Sequence, residues 1–200
     1  MRIDYDDMLE YTREKIRSNS RKSSHTFRDR FIHTLRVLKW AERINEIEGG
    51  DQEVVRIASI FHDVGWDDEI HHAIVSKSIA NDYLLKIDIE EEKKEKILEA
   101  IENHSFREND KPLSLESYIV MDADYLDEVG AISILWDAMA EANKVNTSYK
   151  SAYRRIKKYA KSLIEQKNRL KTKTGRKFYE ERLGVINTFL NELKFELEEY

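Results

Sequence analysis

The sequence predicts an all-α protein, because apolar residues recur at helical spacing and residues that interrupt helices are few. Val37, Trp40, Ala41 and Ile44 fall at positions i, i+3, i+4 and i+7, which places them on one helix face. The 200 residues include one proline and six glycines, and no window shows the sustained apolar–polar alternation of a half-buried strand. A chain of this length fits one domain with a sizeable core. We therefore expect a single domain over residues 1–200.

The first helices are delimited by acidic first turns and by capping residues. The first is predicted from about residue 3 to 18, with Asp4 and its acidic neighbours in the first turn, where the helix dipole favours negative charge. A polar break at Ser18–Ser24 precedes a long helix that ends at Gly49. Asp51 is the predicted N-cap of the next helix, which ends at Gly65.

The remaining helices follow with short connections. They are predicted near residues 71–86, 90–104, 115–142, 149–169 and 174–198, with Asn109–Pro112 as a polar connection. We divide the single domain into an N-terminal helix at about 3–18, a core at about 25–142 and C-terminal helices at about 149–198.

Composition excludes several kinds of protein and site. The chain contains no cysteine, so disulfides and thiolate metal ligands are excluded, and any metal must be held by imidazole and carboxylate groups. No segment approaches the roughly 18 consecutive apolar residues of a membrane span. Met1–Asp4 does not resemble the beginning of a secretory signal. We expect a cytoplasmic protein without a membrane partner.

The C-terminal third has an uneven charge distribution. The net charge of the chain is −5, which argues against a general nucleic-acid binder, yet Lys150–Lys177 contains twelve Lys or Arg and one acid, Glu165. This segment is either a solvated helix face or a basic rim that attracts polyphosphates. A following apolar stripe is interpreted as core or as a face of a homodimer; it comprises Phe178, Val185, Phe189 and Leu193.

Four polar residues interrupt apolar helix faces. His33 extends the stripe of the long helix by one turn, and His62 and Asp63 come at the end of an apolar helical run. Asp124 shares a face with Val120 and with another acid, Asp127. Burying a carboxylate costs several kcal/mol unless it is paired or coordinates a cation. A divalent metal bound by these residues would explain their positions.

Simpler explanations exist for each residue taken alone. A single histidine on an apolar stripe is more often a hydrogen-bonded core residue, and a His-Asp dipeptide is common by chance. Asp124 and Asp127 could pair with a buried arginine such as Arg36, or cap a helix end. The joint pattern is what favours a metal site.

That ordered pattern, His, His-Asp and a distant Asp, resembles the HD-domain metal-dependent phosphohydrolase superfamily. Residues 33–37 and 58–63 look like the helices that carry its first histidine and its His-Asp pair. Residues 122–131 resemble the Asp-Ala-Asp-x-Leu-Asp-x-x-Gly-Ala segment of the YedJ/YpgQ-like branch. Residues 102–106 and the terminal Thr-x-x-Gly-Arg pattern are also similar to that branch. The resemblance covers roughly residues 25–195.

The resemblance implies an all-α helical bundle with a metal site between its central helices. Carried over residue by residue, it makes His33, His62, Asp63 and Asp124 the metal ligands. Two imidazoles and two carboxylates, with positions left for water, suit Mn²⁺, Co²⁺, Fe²⁺ or Mg²⁺ better than a closed structural zinc site.

The number of metals depends on histidines between the His-Asp pair and the last Asp. Some superfamily members bind a second metal through such residues. This chain has His72 and His104 there, with Asn103 in place of an adjacent histidine, so one metal is favoured over two. His104 is assigned to a phosphate or to the support of a metal ligand. His71 is interpreted as a solvated loop residue.

Further residues are assigned to catalysis and substrate. Asp67 aligns with the acid that follows the His-Asp pair in guanosine-tetraphosphate hydrolases of the superfamily, so with Asp63 it is a catalytic candidate that orients or deprotonates water; the alternative is a loop or capping aspartate. Trp66 replaces the acid that precedes it there. The substrate-binding candidates are Arg36, Lys77, His104 and Asp127, and a surface charge or structural ion pair is the alternative for Arg36 and Lys77.

The resemblance therefore implies a metal-dependent phosphohydrolase with a soluble nucleotide as its small-molecule partner. Its branch implies nucleoside triphosphate pyrophosphohydrolysis as the more specific activity. The alternative activity is a nucleoside 5′-monophosphate phosphatase or another phosphoesterase. An alternative of another class is a non-catalytic HD module that binds metal or nucleotide.

Overall fold

The protein is helical over the residues that its structure describes. A computed structural model of the chain describes residues 3–19, 27–106 and 111–197. These ranges contain nine α-helices, one short 3₁₀ helix and no strand, which confirms the all-α class. The helices are α1 (Tyr5–Ser18), α2 (Arg30–Glu48), α3 (Gln52–Phe61), α4 (His72–Leu84), α5 (Glu91–Asn103), α6 (Leu115–Asp127), α7 (Ala131–Ala142), α8 (Tyr149–Gln166), the 3₁₀ turn Lys167–Arg169 and α9 (Lys173–Leu197).

Aspartate caps fix the starts of the first three helices. The carboxylates of Asp4, Asp29 and Asp51 each accept hydrogen bonds from the backbone N–H groups two and three residues later. Such a cap stabilises a helix by about 1 kcal/mol. The prediction of Asp51 as an N-cap is confirmed. Gly49, with a φ of +81°, ends α2 as expected.

Two helices end earlier than the apolar pattern predicts. The predicted helix at 115–142 is broken at Gly130, whose φ of +96° excludes ordinary L side chains, so α6 and α7 are separate. The helix predicted to reach Gly65 ends at Phe61. Gly65 then approaches α4 so closely that a Cβ there would lie 2.5 Å from the backbone nitrogen of Ser76. The predicted break at Ser18–Ser24, the connection Asn109–Pro112 and residue 198 lie partly or wholly outside the described residues.

Met1–Asp124 forms the first of two compact units, and α3 lies at its centre. Within this unit α3 packs against α1, α2, α4 and α5, and α4 also packs against α5. The apolar core includes Ile57, Phe61, Ile97, Ile101 and Val120. The C-terminal end of α3, where His62 and Asp63 follow, is therefore surrounded by other helices of the unit.

Tyr125–Tyr200 forms the second unit, in which α7, α8 and α9 pack against one another. α9 buries Tyr179, Leu183, Ile186 and Leu190, with the Tyr179 hydroxyl donating to the carbonyl of Leu163 at 3.0 Å. This stripe differs from the predicted one.

The predicted stripe on α9 is largely at the surface. Val185 and Phe189 are 48% and 37% exposed, so the core interpretation is wrong for these two residues. The homodimer face stays a prediction, as does the assignment of residues 1–200 to one domain. None of the helices in the described ranges is long and apolar enough to cross a membrane.

Candidate metal centre

The four predicted ligands lie in the core of the first unit. His33 stands one turn into α2, His62 and Asp63 directly follow α3, and Asp124 lies near the end of α6. All four are buried, and the ring of His62 is completely inaccessible to solvent.

Hydrogen bonds to Glu99 fix the start of the helix that carries Asp124. The carboxylate of Glu99, on α5, accepts from the backbone N–H of Ser114 at 3.1 Å and from the hydroxyls of Ser114 and Ser117 at 2.5 and 2.9 Å. Burial raises the pKa of Glu99, but these donors outweigh it and hold the pKa below its usual value. Glu99 therefore remains ionised and ties α5 to the first turn of α6.

The ligand atoms of these residues face one another. The Nε2 atom of His33 lies 3.3 Å from Nε2 of His62 and 3.4 Å from Oδ1 of Asp124. One ligand atom from each of these three residues lies within 4.8 Å of the other two. Oδ2 of Asp63 lies 3.8 Å from the same His33 nitrogen. The structure thus brings all four predicted ligands together; their binding of a metal stays a prediction.

His62 is held in the form that coordinates metals. Its Nδ1 lies 2.8 Å from the carbonyl oxygen of Ser59, which can only accept, so the proton is on Nδ1 and Nε2 carries a lone pair. Burial, and after it the neighbouring His33, together lower the pKa of His62 to about 3. The ring is therefore neutral at physiological pH, as a metal ligand must be.

Arg30 is a component of the site that the sequence analysis missed. It forms an ion pair with Oδ2 of Asp63, and its side chain is only 17% exposed. Such a partner neutralises a buried carboxylate and fixes its orientation. The signal was available, since Arg30 precedes His33 by three residues and so lies on the same helix face.

A second pair of imidazoles lies beside the first. Nε2 of His72 and Nε2 of His104 are 3.2 Å apart, and Nδ1 of His104 donates to the carbonyl of Ile101 at 2.7 Å. Oδ1 of Asp63 lies 4.0 Å from Nε2 of His72. The rings of His104 and His62 are in edge contact, with centroids 5.1 Å apart. His104 is therefore next to a predicted ligand, and its assignment to a phosphate or to the support of a metal ligand stays a prediction.

Asp67 is engaged in its own loop. Its carboxylate is exposed and accepts hydrogen bonds from the backbone N–H groups of Glu69 at 2.8 Å and Ile70 at 2.9 Å. These two bonds hold the pKa of Asp67 below its usual value, which weakens it as a base. The arrangement matches the alternative of a loop aspartate, and the catalytic role of Asp67 stays a prediction.

The remaining substrate-binding candidates have varied surroundings. Lys77 forms an ion pair with Glu102 at 2.7 Å, with both side chains more than one-third exposed. Arg36 is half-buried on α2, and Asp127 is buried at the end of α6. Their roles in binding substrate stay predictions.

The donor set suits a divalent cation that accepts nitrogen and oxygen ligands. Two neutral imidazoles can supply Nε2, and two carboxylates can supply oxygen and negative charge, which fits Mn²⁺, Co²⁺, Fe²⁺ or Mg²⁺. Within the described ranges, His33, His62 and Asp124 form the one group of three or more such residues with ligand atoms this close.

Comparison with known proteins identifies similar sequences and folds. The HD domain family matches residues 30–128, a range that contains all four predicted ligands. The Bacillus subtilis protein YpgQ is 29% identical over 167 residues, which cover 81% of each chain. Its crystal structure in complex with ADP covers 96% of this chain and 94% of that one, at 25% identity and a TM-score of 0.68.

A second solved structure agrees in fold. An HD-superfamily hydrolase from Bacillus thuringiensis is 22% identical, with a TM-score of 0.74 and 97% of each chain covered. The resemblance seen in the sequence is thus confirmed. The part of the chain that matches the HD domain family is thus residues 30–128.

Proposed function

We propose that this protein is a metal-dependent phosphohydrolase that acts on a soluble nucleotide, cleaving nucleoside triphosphates to monophosphate and pyrophosphate. The observation that carries the proposal is the buried group His33, His62 and Asp124, with Asp63 beside it. A nucleotide substrate is supported by the ADP complex of YpgQ, which is similar in sequence and fold.

The residues at the site would contribute to catalysis in different ways. A bound dication would lower the pKa of a water molecule and polarise a phosphoryl oxygen. His62 presents a lone pair whose direction is set by the hydrogen bond to Ser59. Arg30 holds Asp63, so that this carboxylate stays oriented when ligands change. Burial of the group removes competing water and strengthens the electrostatic interactions.

We propose one bound metal rather than two. His33 has Asp124 at 3.4 Å and Asp63 at 3.8 Å from its Nε2, whereas His72 has Asp63 at 4.0 Å from its own. The charge of a dication is better compensated where two carboxylates lie this close to an imidazole. The pair His72–His104 is better suited to contact a phosphate of the substrate.

The first experiment is a nucleotide panel. Protein stripped with a chelator and reloaded with Mn²⁺ is incubated with nucleoside tri-, di- and monophosphates, and pyrophosphate and orthophosphate are assayed separately. Pyrophosphate from triphosphates is the expected result. Orthophosphate from monophosphates would replace the proposal with the phosphatase alternative, and absence of any turnover would favour a non-catalytic module.

Two variants link activity to the group. Asp124→Asn removes a charged ligand with little change in shape and is expected to lower turnover by at least about 100-fold. Asp82→Asn, at an exposed position of α4, is the matched control. Equal activity in both variants would contradict the proposed site.

Asp67→Asn in the same assay tests the candidate base. If Asp67 removes the proton from water, its loss should lower turnover by about 100-fold or more.

A further inference from the structure

A row of aromatic rings connects the candidate metal centre with the protein surface. The ring of His62 contacts that of His104 at 5.1 Å between centroids, and His104 contacts His72 at 5.2 Å. His72 is 4.5 Å from His71, which is 4.4 Å from Phe106. The inner members are buried or half-buried, whereas His71 is exposed and Phe106 is 37% exposed. The row therefore ends at the surface in a pair of rings.

Two exposed apolar side chains lie close to the outer two rings in the sequence. His71 and Phe106 are inclined by 30° to each other, close to an offset stack. Ile70 and Ile74, on either side of His71 in the sequence, are 51% and 46% exposed. We call His71, Phe106, Ile70 and Ile74 the rim platform. Exposed apolar groups beside a polar site commonly mark where a ligand binds.

The rim platform is held in place before any ligand arrives. Nδ1 of His71 accepts a hydrogen bond from the backbone N–H of Ala73 at 3.3 Å, which fixes its ring at the start of α4. The backbone N–H of Phe106 donates to the carbonyl of Asn103 at 3.0 Å, which closes a turn directly after α5. A surface fixed in this way loses little conformational entropy on binding.

We propose that the rim platform binds the nucleobase of the substrate, with the phosphates directed inward past His72 and His104 to the buried group. This inference rests on the proposed function and specifies how its substrate is held. Stacking on His71 and Phe106 uses the face that every base has, so the platform favours nucleotides over bare polyphosphate and discriminates weakly among bases. The simpler explanation is a small apolar cluster that only stabilises the turn after α5.

The test compares a ligand that has a base with one that has none. Isothermal titration calorimetry with the Mn²⁺-loaded full-length protein gives Kd for the α,β-imido analogue of ATP and for inorganic tripolyphosphate. Loss of one stacked base costs roughly tenfold in affinity. Phe106→Ala is therefore expected to weaken the nucleotide analogue about tenfold and tripolyphosphate less than about twofold. His71→Ala should act in the same direction, and Phe106→Trp should restore binding of the analogue.

The matched control is Leu85→Ala, which removes an apolar side chain that is 65% exposed at the other end of α4. It should leave both dissociation constants unchanged. Metal content and circular dichroism show that each variant is folded. Equal weakening of both ligands by Phe106→Ala, or no weakening of either, would overturn the inference. So would a wild-type protein that binds tripolyphosphate as tightly as the analogue.

The outcome is independent of turnover, so the two proposals can fail separately. If the nucleotide panel shows no hydrolysis but Phe106→Ala lowers affinity for the analogue alone, the proposed function is wrong and the rim platform is supported. If hydrolysis is seen and the ratio of the two dissociation constants does not change in the variant, the rim platform is wrong and the proposed function is unaffected.

Discussion

The two imidazole pairs of the first unit are built alike but have different surroundings. In each pair one histidine directly follows a helix: His62 after α3 and His104 after α5. Each of these donates its Nδ1 proton to the carbonyl oxygen three residues earlier, at 2.8 and 2.7 Å. Each then directs Nε2 at a partner's Nε2, at 3.3 Å for His33 and 3.2 Å for His72.

The inner pair, His33 and His62, and the second pair, His72 and His104, differ in nearby negative charge and in burial. Nε2 of His33 lies within 4.0 Å of two carboxylates, Asp63 and Asp124, whereas Nε2 of His72 has Asp63 at the limit of that distance. The side chain of His72 is 22% exposed, against 8% for His33. The inner pair therefore combines imidazole nitrogens with carboxylate oxygens in a largely buried position.

The ion pairs that connect the helices around the two histidine pairs also differ in burial. Arg30 and Asp63 form a buried ion pair that connects α2 with the residue pair after α3. Lys77 and Glu102 form an exposed ion pair that connects α4 with α5. His72 is the first residue of α4, and His104 directly follows α5. We therefore expect the similar imidazole geometry to serve metal binding at His33 and His62 and contact with a substrate at His72 and His104.

The largest expected effect is on metal binding when one member of each pair is removed. His62→Ala should lower affinity for Mn²⁺ by more than about 100-fold, because it removes a ligand, while loss of a supporting group costs about 10- to 100-fold. The matched variant His104→Ala should stay within about tenfold of the wild type. Metal content after dialysis, measured by mass spectrometry, gives both values.

This comparison also tests the number of metals. We expect the wild-type protein to retain one equivalent of Mn²⁺, and His104→Ala to retain that equivalent. Two equivalents in the wild type, falling to one in His104→Ala, would contradict the single-metal proposal and show that the second pair binds a cation of its own.

A smaller effect is expected from the titration of His62 in the metal-free protein. The pKa of His62 is about 3 in the folded chain and 6.5 in the unfolded one, so between these values the unfolded state binds the extra proton. The stability that neutral His62 contributes to the folded state is therefore fully present above pH 6.5, and it is lost as the pH decreases. The expected loss is about 2 kcal/mol between pH 6.5 and pH 5. Urea unfolding of chelated protein at several pH values measures it.

His62→Gln is the informative variant for this titration, because glutamine keeps a polar side chain that does not titrate. The dependence of unfolding free energy on pH should become flatter in the variant over the same range. An unchanged slope would mean that other groups cause the loss of stability, and that His62 is not held neutral by its burial.

Much of the inner pair could be predicted from the sequence, because helical periodicity reveals polar residues on apolar faces. His33 lies on the stripe that continues to Ala41 and Ile44, and all three are buried. Asp124 also lies on an apolar face, the resemblance assigned it as a ligand, and its Oδ1 lies 3.4 Å from Nε2 of His33.

The pairing of His72 with His104 and the rim platform could not be predicted, because both depend on how α4 packs against α5. His104 continues the apolar stripe of Ile97, Ala100 and Ile101, but nothing in the sequence pairs it with His72, 32 residues away. His71 was interpreted as a solvated loop residue, which describes its exposure but not its stack on Phe106.

The core interpretation of the α9 stripe was wrong for a different reason. That helix has apolar residues on two sides, and periodicity cannot tell which side a neighbouring helix covers. Tyr179 and Leu183 are covered, while Val185 and Phe189 are exposed. The break at Gly130 was missed because a single glycine in a helical pattern is often tolerated.

The smallest expected effect concerns the exposed ion pair between Lys77 and Glu102, beside the second pair of histidines. Lys77→Ala removes the ion pair with Glu102, and exposed pairs of this kind contribute about 0–1 kcal/mol to stability. If Lys77 only forms this ion pair, the unfolding free energy of the variant should fall by less than about 1 kcal/mol, and the variant should bind tripolyphosphate as the wild type does. Glu102→Gln, which breaks the pair but keeps the lysine charge, is the matched control. If Lys77→Ala weakens tripolyphosphate binding while Glu102→Gln does not, the lysine contacts the substrate, and the sequence-based assignment of Lys77 is supported over the structural one.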